Sequence, residues 1–80
     1  MRLDKYLKVS RIIKRRTVAN DACDAAHVSV NGRTVKASYD VKVGDVLEIA
    51  FGSRTVKAEI LNVSETIKKD DAPLMYRIID

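Results

Sequence analysis

A single cysteine, Cys23, excludes any disulfide within the chain, and with the single histidine, His27, it cannot complete a four-ligand zinc site. Disulfide and structural-zinc scaffolds are ruled out. No apolar run approaches the roughly 18–20 residues that cross a bilayer, and the basic N-terminus is not followed by the apolar stretch of a signal peptide. A cytoplasmic protein with no membrane partner is expected. The chain offers no Ser/His/Asp or Cys/His set, and a domain of 80 residues rarely spares volume for a catalytic cavity beside its core. The expectation is a protein that is no enzyme and needs no metal or cofactor. Internal repeats and low-complexity segments are also missing.

What is present is a 46% apolar and 32% charged composition, too hydrophobic for the disordered class. Two independent cores would each fall below the size that folds alone, so a single domain over residues 1–80 is expected. The charge is unevenly spread. Arg2, Lys5, Lys8, Arg11, Lys14, Arg15 and Arg16 against Asp4 alone give residues 1–16 a net +6. The other 64 residues hold eight bases and ten acids, a net −2. A patch of one sign on an otherwise nearly neutral domain points to a polyanion surface, since scattered charge would serve solubility equally well.

Leu3, Tyr6, Leu7, Ser10 and Ile13 recur at steps of three and four, which predicts a helix from Leu3 to about Ile13 with Lys5, Lys8 and Arg11 on its opposite side. Val9 and Ile12 fall on the basic side, so a break near Ser10 is expected. Thr17 reads as the N-cap of a second helix, Val18 to about Ala26, packed through Val18 or Ala19, Ala22, Cys23 and Ala26. From His27 the period becomes two. Val28–Val30, Asn31-Gly32 and Arg33–Val35 predict a hairpin with a type I′ turn. After a connection from Lys36 to Lys42, Val43-Gly44-Asp45 turns into a strand Val46–Phe51, whose Leu47, Ile49 and Phe51 share a face. A second two-residue hairpin at Gly52-Ser53 would set Ile49 against Val56, Leu47 against Ala58 and Glu48 against Lys57. The returning strand could run to Val63, Ser64–Pro73 reads as a loop, and Tyr76–Ile79 as a short last strand. The plan is an α+β fold, two helices followed by four or five short, mostly antiparallel strands.

Arg2-Leu3-Asp4-Lys5-Tyr6-Leu7, Arg16-Thr17-x-Ala19, Val28-x-Val30-Asn31-Gly32 and Val43-Gly44-Asp45, in this order and spacing, resemble the S4-type RNA-binding domain. The motif covers about residues 1–50, with 51–80 as a strand extension. The stretches Lys8–Thr17 and Val35–Lys42 and the overall length are similar to one branch, the stand-alone bacterial factors of ribosome-associated quality control, which are related to the heat-shock S4 proteins. This resemblance implies an S4-like fold built on the αL RNA-binding motif. It also implies a factor without chemistry of its own, acting on large-subunit rRNA and peptidyl-tRNA of a stalled large ribosomal subunit. Its partner there is an RqcH-like tailing factor that adds C-terminal alanines to the nascent chain, and the protein is expected to be a monomer. Two departures stand out. Many relatives have glycine where this chain has Ala26, so helix two must end without it or end one position later. The heat-shock relatives carry a basic C-terminal tail that is not part of this sequence, which favours the quality-control branch.

The seven basic residues of 1–16 could be a solvated helix face; the resemblance favours RNA contact. Arg2 and Arg16 match the motif's RNA-contacting positions and come first, followed by Arg11 and Arg15. Arginine suits the task because its planar guanidinium holds two phosphate oxygens or stacks on an unpaired base. The hairpin tip adds Arg33 and Lys36 as candidates. Asp4 either pairs with a neighbouring base or favours the positive end of helix one, and the second reading is preferred. Tyr6 reads as core and Tyr39 as a freer loop candidate for stacking. Cys23 reads as buried packing, His27 as strand entry, and Lys68-Lys69-Asp70-Asp71 as a mobile loop. Alternative readings are the detached RNA-binding domain of an rRNA pseudouridine synthase, a generic structured-RNA binder, and a helix-turn-helix DNA-binding module.

Overall fold

The computed structural model describes residues 1–65 and 68–79. Helix α1 runs Leu3–Val9. Its predicted inner stripe is buried in full: Leu3, Tyr6, Leu7, Ser10 and, beyond the helix, Ile13. The expected break falls at Ser10, whose Oγ donates to the Leu7 carbonyl at 3.3 Å while Arg11 takes a left-handed φ of 63°. Turning the chain there also brings Val9 and Ile12 against the core rather than leaving them on the basic side.

Helix α2 runs Arg16–Asp24, earlier than a Thr17 cap predicts. Arg15, extended at φ −120° and ψ 132°, is the N-cap and makes no side-chain capping bond. The first helical bond runs from the Ala19 N–H to the Arg15 carbonyl at 3.0 Å, which puts Arg16, the partner of Asp4, in the first turn. Ala19 and Cys23 are the buried positions, while Val18 is half exposed. The helix ends on Ala26 with φ 61°. The Ala26 N–H donates to Cys23 and the His27 N–H to Ala22, a Schellman closure made without glycine.

Five strands form one entirely antiparallel sheet in the order β2-β1-β3-β4-β5. They are β1 Val28–Val30, β2 Arg33–Thr34, β3 Val46–Phe51, β4 Arg54–Ile60 and β5 Tyr76–Ile79. Asn31 and Gly32 both have positive φ, as a type I′ turn requires. The β3–β4 register pairs Ile49 with Val56, Leu47 with Ala58 and Glu48 with Lys57, as the sequence predicts. Leu47, Ile49, Ala58 and Ile60 meet the helices on one face of the sheet.

Beyond β4 the expectations need correcting. The strand stops at Ile60 instead of reaching Val63, because Leu61 and Asn62 turn their N–H groups to the Met75 carbonyl. Within the Ser64–Pro73 segment, expected to be a loop, Thr66 and Ile67 lie outside the described residues, and Lys69–Met75 is a 3-10 helix. Ala72 and Met75 are fully buried and the Tyr6 hydroxyl donates to the Met75 carbonyl at 2.7 Å, so this segment is held by the core.

Candidate nucleic-acid interface

Asp4 is the centre of the basic face and is 2% exposed. Its Oδ1 accepts from the Lys5 N–H at 2.8 Å and from Arg2 Nε at 3.2 Å. Its Oδ2 accepts from Arg2 Nη2 at 3.3 Å, Asn20 Nδ2 at 3.3 Å and Arg16 Nε at 3.4 Å. Burial pushes this carboxyl up, but the bonds from Arg2, Asn20 and the Lys5 N–H and the charge of Arg16 outweigh it and hold it below the usual carboxylate value. Of the two sequence readings, pairing with neighbouring bases is therefore what organises Asp4; the first-turn position is incidental to that. Arg2 and Arg16, fourteen positions apart, thus stand side by side, each with one edge on Asp4 and about half its side chain in solvent. The exposed edges of two oriented guanidiniums suit phosphate oxygens.

Each partner is placed by its element. Arg2 precedes α1 in extended conformation and forms a bridge to Asp40, while the Met1 ammonium bonds Asp40 Oδ1 at 2.7 Å. The Leu3 N–H bonds Tyr39 O and the Asp4 N–H bonds Ala37 O, so the connection carrying Lys36 lies along the start of α1. Asn20 sits one helical turn after Arg16. Asp21, exposed beside Arg16 in the same shallow groove, bounds the anion-friendly surface on that side.

Among the described residues, Lys8, Arg11, Lys14, Arg15, Arg33 and Lys36 are exposed and without an ion pair. Lys5 differs, its Nζ bonding Glu65 Oε1 at 3.0 Å. Arg11 is turned away from the Asp4 cluster toward the β3–β4 hairpin, where it shares a cleft with Arg54. Arg33 lies in a depression with Tyr39 at the other end of the sheet. Tyr39 is half buried against the core with its hydroxyl 3.4 Å from Asp45 Oδ2, which removes the freedom expected of a stacking loop residue.

Sequence reasoning missed three participants. Asn20 and Arg54 carry no linear signal, since only the packing of α1 on α2 brings Asn20 to Asp4 and only the tertiary fold brings Arg54 into one cleft with Arg11. Asn31 reads as a turn residue, yet its Oδ1 accepts from the Val46 N–H and its Nδ2 donates to Asp45 Oδ1, both at 3.0 Å. The recurrence of Asn31-Gly32 with Gly44-Asp45 is the signal that could have paired them.

A basic two-helix unit mounted on a small antiparallel sheet defines an S4-domain protein, and the profile of the S4 domain family matches residues 1–47. A protein of Streptococcus pneumoniae (strain R6) named RQC P-site tRNA stabilizing factor is 53% identical over 79 residues, covering 99% of this chain and 90% of the relative. A protein of the same name from Halalkalibacterium halodurans is 51% identical, covering 98% of this chain and 89% of the relative. The chain belongs to the S4 domain family and, within it, to the family of RQC P-site tRNA stabilizing factors. The solved structure of Vibrio cholerae Heat Shock Protein 15, described as trimeric, superposes with a TM-score of 0.90 at 28% identity, covering 99% of this chain and 81% of that one.

Proposed function

We propose that this protein is a non-catalytic RNA-binding factor of ribosome-associated quality control. It binds rRNA and tRNA on a large ribosomal subunit that still carries peptidyl-tRNA. There it supports C-terminal alanine tailing of the nascent chain by an RqcH-like factor, acting as a cytoplasmic monomer. The observation that carries this reading is the Asp4 cluster, which holds one edge each of Arg2, just before α1, and Arg16, in the first turn of α2, and leaves about half of each side chain in solvent. The names of the relatives support P-site tRNA as the ligand class. Arg2, Arg16, Lys8, Lys14 and Arg15 form the main phosphate contact, Lys5 and Arg11 its flanks, and Arg33 and Lys36 a second contact at the hairpin. Recognition rests on RNA shape and phosphate position, because the deep major groove of A-form RNA is poorly accessible to side chains.

The test is co-sedimentation of tagged protein from lysate through a sucrose gradient, with and without Arg16→Ala. Accumulation with large subunits bearing peptidyl-tRNA, abolished in the variant, is the expected result. Protein remaining at the top of the gradient in both cases would overturn the ribosomal reading.

A further inference from the structure

Part of the apolar face of the sheet is left uncovered. Phe51, Val56, Tyr76 and Ile78 share the face of Leu47, Ile49, Ala58 and Ile60: Phe51 lies one step beyond Ile49 with Arg54 as its cross-strand partner, Val56 is paired with Ile49, and Tyr76 and Ile78 sit on the edge strand beside Ile60 and Ala58. With Ile12 they line an open cleft of about 350 Å³. Phe51 is 40% and Ile78 53% exposed, so apolar surface is left facing water. Arg11 and Arg54 stand on the rims, and among the described residues neither has an ion-pair partner. Among the described residues no acidic side chain lines the cleft.

We propose that this cleft holds one unpaired RNA base stacked on Phe51, with Arg11 and Arg54 gripping the flanking phosphates. The inference rests on the RNA-binding reading above and extends it to a single-stranded contact. Three observations select a base over a protein segment. Among the described residues the charge lining the cleft is purely positive, which complements the phosphates that flank an apolar base. Arg11 belongs to the basic series of residues 2–16, so the cleft begins where that series leaves the Asp4 cluster. The volume lies at the small end of single-ligand pockets. An exposed aromatic ring beside arginines is also the device by which single-stranded RNA is held without sequence preference.

The experiment measures fluorescence anisotropy of labelled hexauridylate, and of an RNA hairpin with a closed stem, at several salt concentrations, using wild type, Phe51→Leu, Arg54→Gln and Arg16→Ala. Circular dichroism checks that each variant folds. Phe51→Leu keeps the apolar bulk and removes the ring, so hexauridylate binding is expected to weaken roughly five- to hundredfold with an unchanged salt slope, while stem binding holds. Arg54→Gln is expected to lower the hexauridylate salt slope by about 0.7. A 4-thiouridine version of the probe is expected to cross-link to the peptide containing Phe51. Equal hexauridylate affinity for wild type and Phe51→Leu, with Arg16→Ala still weakened on the stem, overturns the cleft assignment and leaves the RNA-binding reading standing. Loss of ribosome association in Phe51→Leu with hexauridylate binding intact assigns the cleft to a protein partner and likewise overturns it. Absence of binding to either RNA by wild type overturns both.

Discussion

A carboxylate cut off from water needs its charge balanced by neighbours, and Asp4 obtains this from two arginines, an asparagine and a backbone N–H. Replacing it by asparagine removes the acceptor that orients both arginines, and a loss of about 1–3 kcal/mol in urea unfolding at neutral pH is expected. Because the folded carboxyl lies below its ordinary value of 3.8, its contribution is complete above that value and is lost as pH falls through the folded one. The gap between wild type and Asp4→Asn is therefore expected to narrow below about pH 4. Asp40 with the Met1 ammonium and Glu65 with Lys5 shift in the same direction, so the variant keeps a shallower acid limb. A second residue-scale prediction concerns Cys23. Burial, with Asp4 and Asp24 nearby, pushes its thiol up to about 11, so an aromatic disulfide reagent at pH 7–8 is expected to label it only as the protein unfolds.

At the scale of elements, none of the three glycines serves a helix end; Gly32, Gly44 and Gly52, all with positive φ, sit in turns of the sheet. The left-handed positions that end the two helices fall instead on Arg11 and Ala26. Ala26 is exposed and contributes no core packing, so Ala26→Gly relieves the strain at no packing cost. The expected outcome is a gain of about 0.5–1 kcal/mol, read as a rise of a few degrees in Tm. Asn31 couples the first hairpin to the start of β3 through both its side-chain amide atoms. Asn31→Ala is expected to destabilise by about 1–3 kcal/mol and to weaken amide exchange protection at Val46 first. A result confined to the hairpin tip would show that the coupling is not needed to seat β3.

For the whole molecule, the net charge of +4 understates the local field of residues 1–16, where Lys8, Arg11, Lys14 and Arg15 are exposed and have no acid partner among the described residues. If four to six phosphates are neutralised, log Kd is expected to vary with log salt at about 0.9 per phosphate on duplex RNA and less on single strands. Arg16→Ala, measured by filter binding across salt, is expected to lower that slope by about one. Because Arg16 also helps balance Asp4, its thermal unfolding must be followed in parallel. A variant that melts early with an unchanged slope would make Arg16 structural.

The periodicity of α1, the two hairpin turns and the β3–β4 register were determined by the sequence itself, because each rests on neighbours within a few residues whose conformational needs are local. Tyr6 and Cys23 as core positions followed from the same wheel. The basic face was equally legible in Arg2–Arg16, since charge clustered along one segment survives folding as a patch. The rest was decided by contacts between distant segments. Thr17 gave up the cap to Arg15, with Arg16, the partner of Asp4, in the first turn, and the expected loop at Lys68–Asp71 gave way to a 3-10 helix because Ala72 and Met75 found the core. Likewise Arg54 came into one cleft with Arg11 only through the packing of the turn after α1 near the β3–β4 hairpin. Such pairings depend on burial and on charge balance across 12 to 69 positions, quantities that no local pattern of residues contains.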